Sequence, residues 1–296
     1  MSGAIVLTGA TSGFGAAALK HIVAESDAPL IVGARSPEQV TGLYGKRVNA
    51  LPLDLQSLES VRAFCKEIEG VSIGVLGLNA GITPSKINMT EDGYERTFQV
   101  NYLAHFLMFQ LLQEQLSENA LVVTTGSGTH DPEEKAPPPT PRHANAEWLA
   151  FPHRDPNRDR IGSRAAGRAY TASKLCCILM AQQIARRFPS LQALSFDPGF
   201  LPETNLAREF PPLAAAIIKR IIPFTMPRDR TGSIATTAPA YAQLLLSGVT
   251  PSKNGAYLAM RGGKPVDAEV SELARAPGLG ETLWEDSLKV LSVRET

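Results

Sequence analysis

The chain has 296 residues, 44% of them hydrophobic, which is long enough to bury a sizeable core. Its 29 Lys and Arg balance 29 Asp and Glu, excluding the charged bulk that would bind nucleic acid or an anionic membrane. Cys65, Cys176 and Cys177 are odd in number and lack metal-ligand spacing, so a reducing compartment is expected, with neither a disulfide framework nor a metal site.

Ala4–Thr8 reads as a first strand. No basic leader precedes it, and no segment reaches the roughly 18 apolar residues that span a bilayer, so a soluble, cytoplasmic protein without a membrane anchor is expected. The strand runs into Thr8-Gly-Ala-Thr-Ser-Gly-Phe-Gly and a helix over Phe14–Glu25. In that setting Gly9 permits a tight turn, Gly13 lets backbone approach a pyrophosphate, and Gly15 lets the helix pack on the strand. The anion then meets free amides at the helix start. Outside that setting the same glycines are an ordinary turn. Leu30–Ala34 is the second strand, with a loop after it. An NAD site commonly places a carboxylate here for the ribose 2′-hydroxyl, but the chain has Arg35 and Ser36. A guanidinium and a hydroxyl suit a 2′-phosphate, so NADP(H) is expected; a solvated surface arginine is the plainer alternative.

Val48–Leu53 leads to a helix starting near Ser57, a fair N-cap. Ile73–Leu78 leads to a long amphipathic stretch from Thr90 to about Leu116, and Ala120–Thr125 follows as a strand. From 129 to about 168 periodicity fails. Ala136-Pro-Pro-Pro-Thr-Pro and His153-Arg-Asp-Pro-Asn-Arg-Asp-Arg read as an insertion. The next helix carries Tyr170 and Lys174, four residues apart and so on one face. An ammonium beside a phenol favours the phenolate and draws its pKa down from about 10, giving a general acid/base without a histidine. Leu191–Phe196 is a further strand. Residues 200–230 are proline-rich and apolar, hold a short helical piece over Leu213–Ile222, and read as a flap over a substrate pocket. Trp148 in the insertion and Phe200, Phe210 and Phe224 in the flap either line that pocket or anchor the loops. His105 is taken as a helix residue, and His21, His130, His143 and His153 as surface or loop. Cys176 and Cys177 read as packing residues.

Strands flanked by helices imply an α/β fold with a doubly wound parallel sheet of Rossmann type, in a single domain over residues 1–296. Ligands of such sheets bind beyond the carboxyl ends of the strands.

With Thr8–Gly15 upstream and Tyr170/Lys174 downstream, the chain resembles the short-chain dehydrogenase/reductase family over roughly residues 3 to 260. Asp54 in Leu53-Asp-Leu, Asn79-Ala-Gly81, Asn101 in Gln99-Val-Asn-Tyr, Ser127 after the fifth strand, and Pro198-Gly199 with Thr204 match its motifs in order. The resemblance implies catalytic Ser127, Tyr170, Lys174 and Asn101. Ser127 would donate to a substrate carbonyl oxygen, Tyr170 would protonate it, Lys174 would hold the nicotinamide ribose, and Asn101 would hold a relay water. It also implies cofactor contacts from Gly9, Thr11, Ser12, Gly13, Phe14, Gly15, Arg35, Ser36, Asp54, Leu55, Asn79, Ala80, Gly81, Tyr170, Lys174, Pro198, Gly199 and Thr204. Taken singly, Asn101 also reads as a helix cap or kink, and Asp54 as a strand-end turn former.

Forty-two residues separate Ser127 from Tyr170, more than is usual in the family. The long gap is similar to that of retinol dehydrogenases, carbonyl reductases and protochlorophyllide reductases, and the tail Ala274-Arg-Ala-Pro-Gly-Leu-Gly-Glu-Thr-Leu-Trp-Glu-Asp-Ser is similar to that of the retinol dehydrogenase and protochlorophyllide reductase groups. Phe200 stands where the last of these carry a cysteine, which disfavours a pigment substrate. The expected activity is NADP(H)-dependent interconversion of a carbonyl and an alcohol, on a bulky, apolar small molecule, by a monomer or homodimer. Alternatives are an NADP(H)-binding sensor or scaffold, a C=C reductase, or a sugar-nucleotide epimerase or dehydratase. The G-x-x-x-G-x-G spacing speaks against the last.

Overall fold

Successive strand residues point to opposite sides of a sheet, and the apolar residues of this chain fill both sides. In the computed structural model, which describes residues 3–204, 208–227, 229–247 and 253–292, Ala4 and Val6 join one buried cluster while Ile5 and Leu7 join another. A strand apolar on both faces needs a helical layer on each. The chain supplies them in the order β1 (Ala4–Thr8), α1 (Gly13–Glu25), β2 (Leu30–Ala34), α2 (Pro37–Tyr44), β3 (Asn49–Pro52), α3 (Leu58–Glu67), β4 (Ile73–Leu78), α4 (Arg96–Phe98), α5 (Ala104–Leu112) and β5 (Leu116–Thr125). There follow α6 (Ala146–Ala150), α7 (Gly162–Arg187), β6 (Gln192–Asp197), α8 (Pro212–Arg220), α9 (Ile222–Thr225), α10 (Ile234–Ser247), β7 (Ala256–Arg261), β8 (Lys264–Asp267) and α11 (Leu279–Ser292).

The eight strands form one sheet in the order β3-β2-β1-β4-β5-β6-β7-β8. β1 to β7 are parallel and β8 returns antiparallel on β7. The winding reverses between β1 and β4, so a crevice opens there beyond the strand ends. Residues of α1, α2 and α10 cover one face; α3, α5, α7 and α11 cover the other. On the second face Trp284 of α11 meets the rings of Phe106, Phe109 and Phe188 at 4.9 to 6.2 Å.

Several elements differ from the sequence expectation. The loop after β2 is helix α2: Pro37 presets its first turn and Glu38 favours its positive end, while only Val40 is buried, which left no apolar stripe to read. The stretch from Thr90 is helical only from Arg96. Before it, Gly93 donates to the Thr90 carbonyl, and the Glu95 carboxylate accepts the Phe98 N–H as a cap. The helix is then interrupted by a π turn over Gln99–Leu103, in which Ala104 N–H reaches back to the Gln99 carbonyl. β5 begins at Leu116, with Asn119 at φ 61 near its start. Residues 162–168, expected in the insertion, are the first turns of α7. β8 and α11 had no clear sequence signal.

The insertion is tied to α7. Asp159 accepts Arg168 Nε at 2.5 Å and pairs with Arg142 at 2.7 Å and Arg164 at 3.2 Å; Thr171 of α7 donates to the Pro139 carbonyl at 2.7 Å. The flap is closed at its base where Phe200 and Gly232 exchange bonds with the Arg230 and Phe200 carbonyls.

Candidate active site

The turn after β1 is shaped by its glycines. Gly9 has φ +69, and a Cβ there would lie 2.7 Å from Ala80; a Cβ on Gly15 would lie 2.2 Å from the Gly9 carbonyl oxygen. These close approaches put the N-terminus of α1 at the crevice. No side chain caps that terminus and no acidic residue lies in its first turn, so its amides suit an anion.

Thr8 and Asn79 hold the two sides of the crevice together. The Thr8 hydroxyl oxygen accepts the N–H groups of Asn79 and Ala80, both at 3.0 Å, and the Asn79 amide donates to the Thr8 and Gly9 carbonyls. His105 lies in helix α5, as its sequence position predicts. Its ring joins this network, with Nε2 3.0 Å from the Thr8 hydroxyl and Nδ1 3.1 Å from the Asn101 carbonyl. Burial pushes the imidazole down to about 4, so it stays neutral and bridges one donor and one acceptor.

A cavity of about 950 Å³ lies beyond the strand ends. Gly9, Thr11, Ser12, Gly13, Phe14, Gly15, Arg35, Asp54, Leu55, Asn79, Ala80, Gly81, Pro198, Gly199 and Thr204 line it, as do Ser127, Tyr170 and Lys174. Ser36 does not; it sits at the N-cap position of α2. Asp54 also makes a turn, its Oδ1 accepting the Gln56 N–H at 3.0 Å. The far side of the cavity is apolar, with Phe200, Leu201, Phe210, Ile218, Ile222 and Met226 from the flap and Pro137–Pro139 from the insertion. Trp148 packs edge-on against His143, away from this lining, and the side chain of Phe224 lies outside the described residues.

The Ser127 hydroxyl oxygen accepts the Thr129 N–H at 3.3 Å and the Thr129 hydroxyl at 3.1 Å, which leaves its own proton free to donate. Lys174 is 5% exposed; its Nζ donates to the Thr125 carbonyl at 2.9 Å and stands 5.9 Å from the Tyr170 ring centroid. The expected lowering of the Tyr170 pKa runs the other way here. Burial pushes the phenol up to about 12, the hydroxyls of Ser127 and Thr83 oppose the rise, and the charge of Asp197 adds to it. The cause is desolvation, which also lowers Lys174.

Asn101 lies behind the wall, in the π turn. Its amide oxygen accepts the Ile82 N–H at 2.8 Å, and its Nδ2 donates to the Ile82 carbonyl and the Ser173 hydroxyl. Its carbonyl accepts the Cys177 thiol at 3.3 Å as well as meeting His105. His130, expected at the surface or in a loop, lies in the turn after β5 but is buried, with Nδ1 2.7 Å from the Ser127 carbonyl and Nε2 accepting the Ser271 N–H. Sequence reading missed Asp197 too, although it stands directly before Pro198.

Among the described residues no group of His, Cys, Asp and Glu could hold a metal ion, and no helix is long and apolar enough to cross a membrane.

Residues 3–135 match the pattern of the short chain dehydrogenase family. The chain is 30% identical to the short-chain dehydrogenase iccH of Talaromyces variabilis, over 97% of this chain and 94% of that protein. A Streptomyces sp. (strain C5) relative named as a daunorubicin C-13 ketoreductase, DnrU, is 30% identical over 96% and 90%. Protochlorophyllide reductase A of Oryza sativa subsp. japonica is 28% identical over 98% and 81%. A solved structure from Mycobacterium paratuberculosis superposes with TM-score 0.72 at 26% identity, covering 98% of this chain and 94% of that one. With a parallel sheet wound as described, a glycine turn at its switch point and relatives matching nearly end to end, the chain belongs to the short-chain dehydrogenase/reductase family of oxidoreductases.

Proposed function

We propose that the protein is an NADP(H)-dependent oxidoreductase interconverting a carbonyl and an alcohol, with Tyr170 as general acid/base. One observation carries this reading: a single cavity is lined both by the glycine turn at an uncapped helix terminus and by Ser127, Tyr170 and Lys174. A nicotinamide bound there supplies or accepts the hydride. In the reducing direction Ser127 donates to the carbonyl oxygen as negative charge grows on it, and Tyr170 passes its phenolic proton to the same oxygen. A phenol kept protonated at neutral pH is the form that direction requires. Lys174 offsets the charge left on Tyr170 and is assigned to the nicotinamide ribose. Asn101 anchors Ile82 and Ser173 beside Tyr170 and so steadies the wall.

Arg35 supports NADP(H) over NAD(H), because it lines the cavity at the end of β2 where a carboxylate would otherwise stand. The apolar flap and the proline run of the insertion favour a bulky, largely apolar carbonyl compound. The ketoreductase name of one relative is consistent with a ketone.

The test is NADPH consumption with a panel of aldehydes, ketones and quinones. Tyr170→Phe is expected to lower kcat by about 10²- to 10⁴-fold on any active compound while NADPH still binds. A variant as active as the wild type on every such compound sinks the role of Tyr170.

A further inference from the structure

Asp197 ends β6 one residue before the Pro198–Gly199 turn and is 3% exposed. Its Oδ1 accepts the Gly199 N–H at 2.9 Å. Its Oδ2 accepts the Gly128 N–H at 2.9 Å and the Tyr257 hydroxyl at 2.8 Å. One carboxylate therefore grips two turns that leave different strands: that of Ser127 and Gly128 after β5, and that of Pro198 and Gly199 after β6. Both turns line the cavity, one bearing the proposed donor to the substrate oxygen and the other lying where the nicotinamide end is expected.

We propose that Asp197 is the positioning residue that sets the Ser127 turn against the Pro198–Gly199 turn, and with them the spacing between proton donor and hydride site. The proposal rests on the reductase reading of this cavity.

Only a carboxylate suits the position. Three donors converge on two oxygens, and an amide would turn its NH₂ toward at least one of the two backbone N–H groups. A buried unpaired charge would be costly, and here it is offset. Arg261 stands 3.7 Å from Asp197 and pairs with Glu134 at 2.7 Å, while Glu134 also holds Arg230 at 2.9 Å. Glu134 belongs to the insertion and Arg230 to the base of the flap, so the cluster joins both to the same anchor. His130, on the turn itself, faces Asp197 as well.

The carboxylate also acts through space. Tyr170 faces Ser127, Thr83, Asp197 and Cys177, with Lys174 beyond its ring, and the negative charge of Asp197 opposes the phenolate. Neutralising it should bring the phenol down. A residue that merely supports the fold would not move that ionisation.

Asp197→Asn tests both effects. It is expected to lower kcat for carbonyl reduction by about 10²-fold, with KM for the carbonyl compound changed less than about threefold, because the displaced groups act on the reacting atoms. The pH at which alcohol oxidation reaches half its maximum should shift downward. Amide exchange without cofactor should quicken at least about tenfold in the segments 126–130 and 198–200. Wild-type kcat with an unmoved pH profile overturns the proposal. If the wild-type protein binds NADPH but reduces no carbonyl compound, the reductase reading fails. Exchange at the two turns then decides the clamp: faster exchange in the variant supports it and unchanged exchange overturns it. Should Asp197→Asn not fold, Tyr257→Phe removes one donor and keeps the carboxylate. Quicker exchange in the same two segments then supports the clamp, and wild-type exchange there overturns it.

Discussion

His105 and Glu95 are two buried ionisable residues on one helical stretch, and burial moves them in opposite senses for stability. The imidazole falls from 6.5 to about 4 in the folded protein. The unfolded chain therefore takes the proton first, and the stability His105 contributes is complete above about pH 6.5 and lost as pH falls toward 4. The Glu95 carboxyl rises from 4.5 to about 7, so its contribution is complete below about pH 4.5 and lost as pH rises toward 7. In the overlap the two slopes oppose each other. Glu95→Gln should leave the histidine slope exposed, with roughly 3 kcal/mol lost between pH 6.5 and 4 beyond any wild-type change. Urea unfolding across that range reads it, and parallel wild-type and variant curves would refute the opposition. At the mouth of the cavity, Arg35→Ala should weaken NADPH binding about tenfold and leave NADH nearly unaffected, the scale of one charge-assisted contact. Equal losses for both cofactors in titration would reject a 2′-phosphate role.

At the scale of elements, the π turn over Gln99–Leu103 explains how one helix serves core and site together. Its extra residue per turn carries Phe98, Tyr102 and Phe106 onto the aromatic cluster while Asn101 faces Ile82. Arg96 of α4 pairs with Glu209, both partly buried, and the outer side of α8 exposes Leu213 and Ile217. Arg96→Met removes that tie and leaves the base at Phe200 and Arg230 intact. The expected results are faster cleavage of residues 208–227 by protease, and a KM for the carbonyl compound raised about tenfold with kcat less affected. A cleavage rate equal to wild type would show that the pair does not hold the flap.

For the whole molecule, the sheet is closed on its second face by a segment that arrives last in the chain. α11 places Trp284 among Phe106, Phe109 and Phe188, and it receives Tyr94 at the Val290 carbonyl and Tyr102 at the Ser287 hydroxyl. Trp284→Ala should cost about 3–5 kcal/mol in urea unfolding, the range for emptying an aromatic site that cannot collapse. A loss under about 1 kcal/mol would mean that α11 is an ornament on a core complete without it.

The first six strands, the glycine turn and the doubly wound class were legible in the sequence because their signals are local: apolar runs of strand length, glycines at fixed spacing, and a helix start after a strand. So was the Tyr170/Lys174 pair, since four residues bring two side chains to one helical face whatever surrounds them. Helix α2 escaped because it buries little, and the π turn because an inserted residue leaves the apolar pattern almost unchanged. His105, His130 and Asp197 were passed over for a different reason. Their partners lie 97, 141 and 69 residues away along the chain, so their roles come into being only when α5 packs at β1, the turn after β5 meets Ser271 beyond β8, and β6 lies beside β5. The phenol's ionisation was misread for the same reason: neighbouring charge can be read from spacing, but desolvation exists only inside the folded protein. The sequence by itself determined the family, the sheet and the residues carried to the crevice. Tertiary structure decided how those residues are held, through long-range contacts and burial.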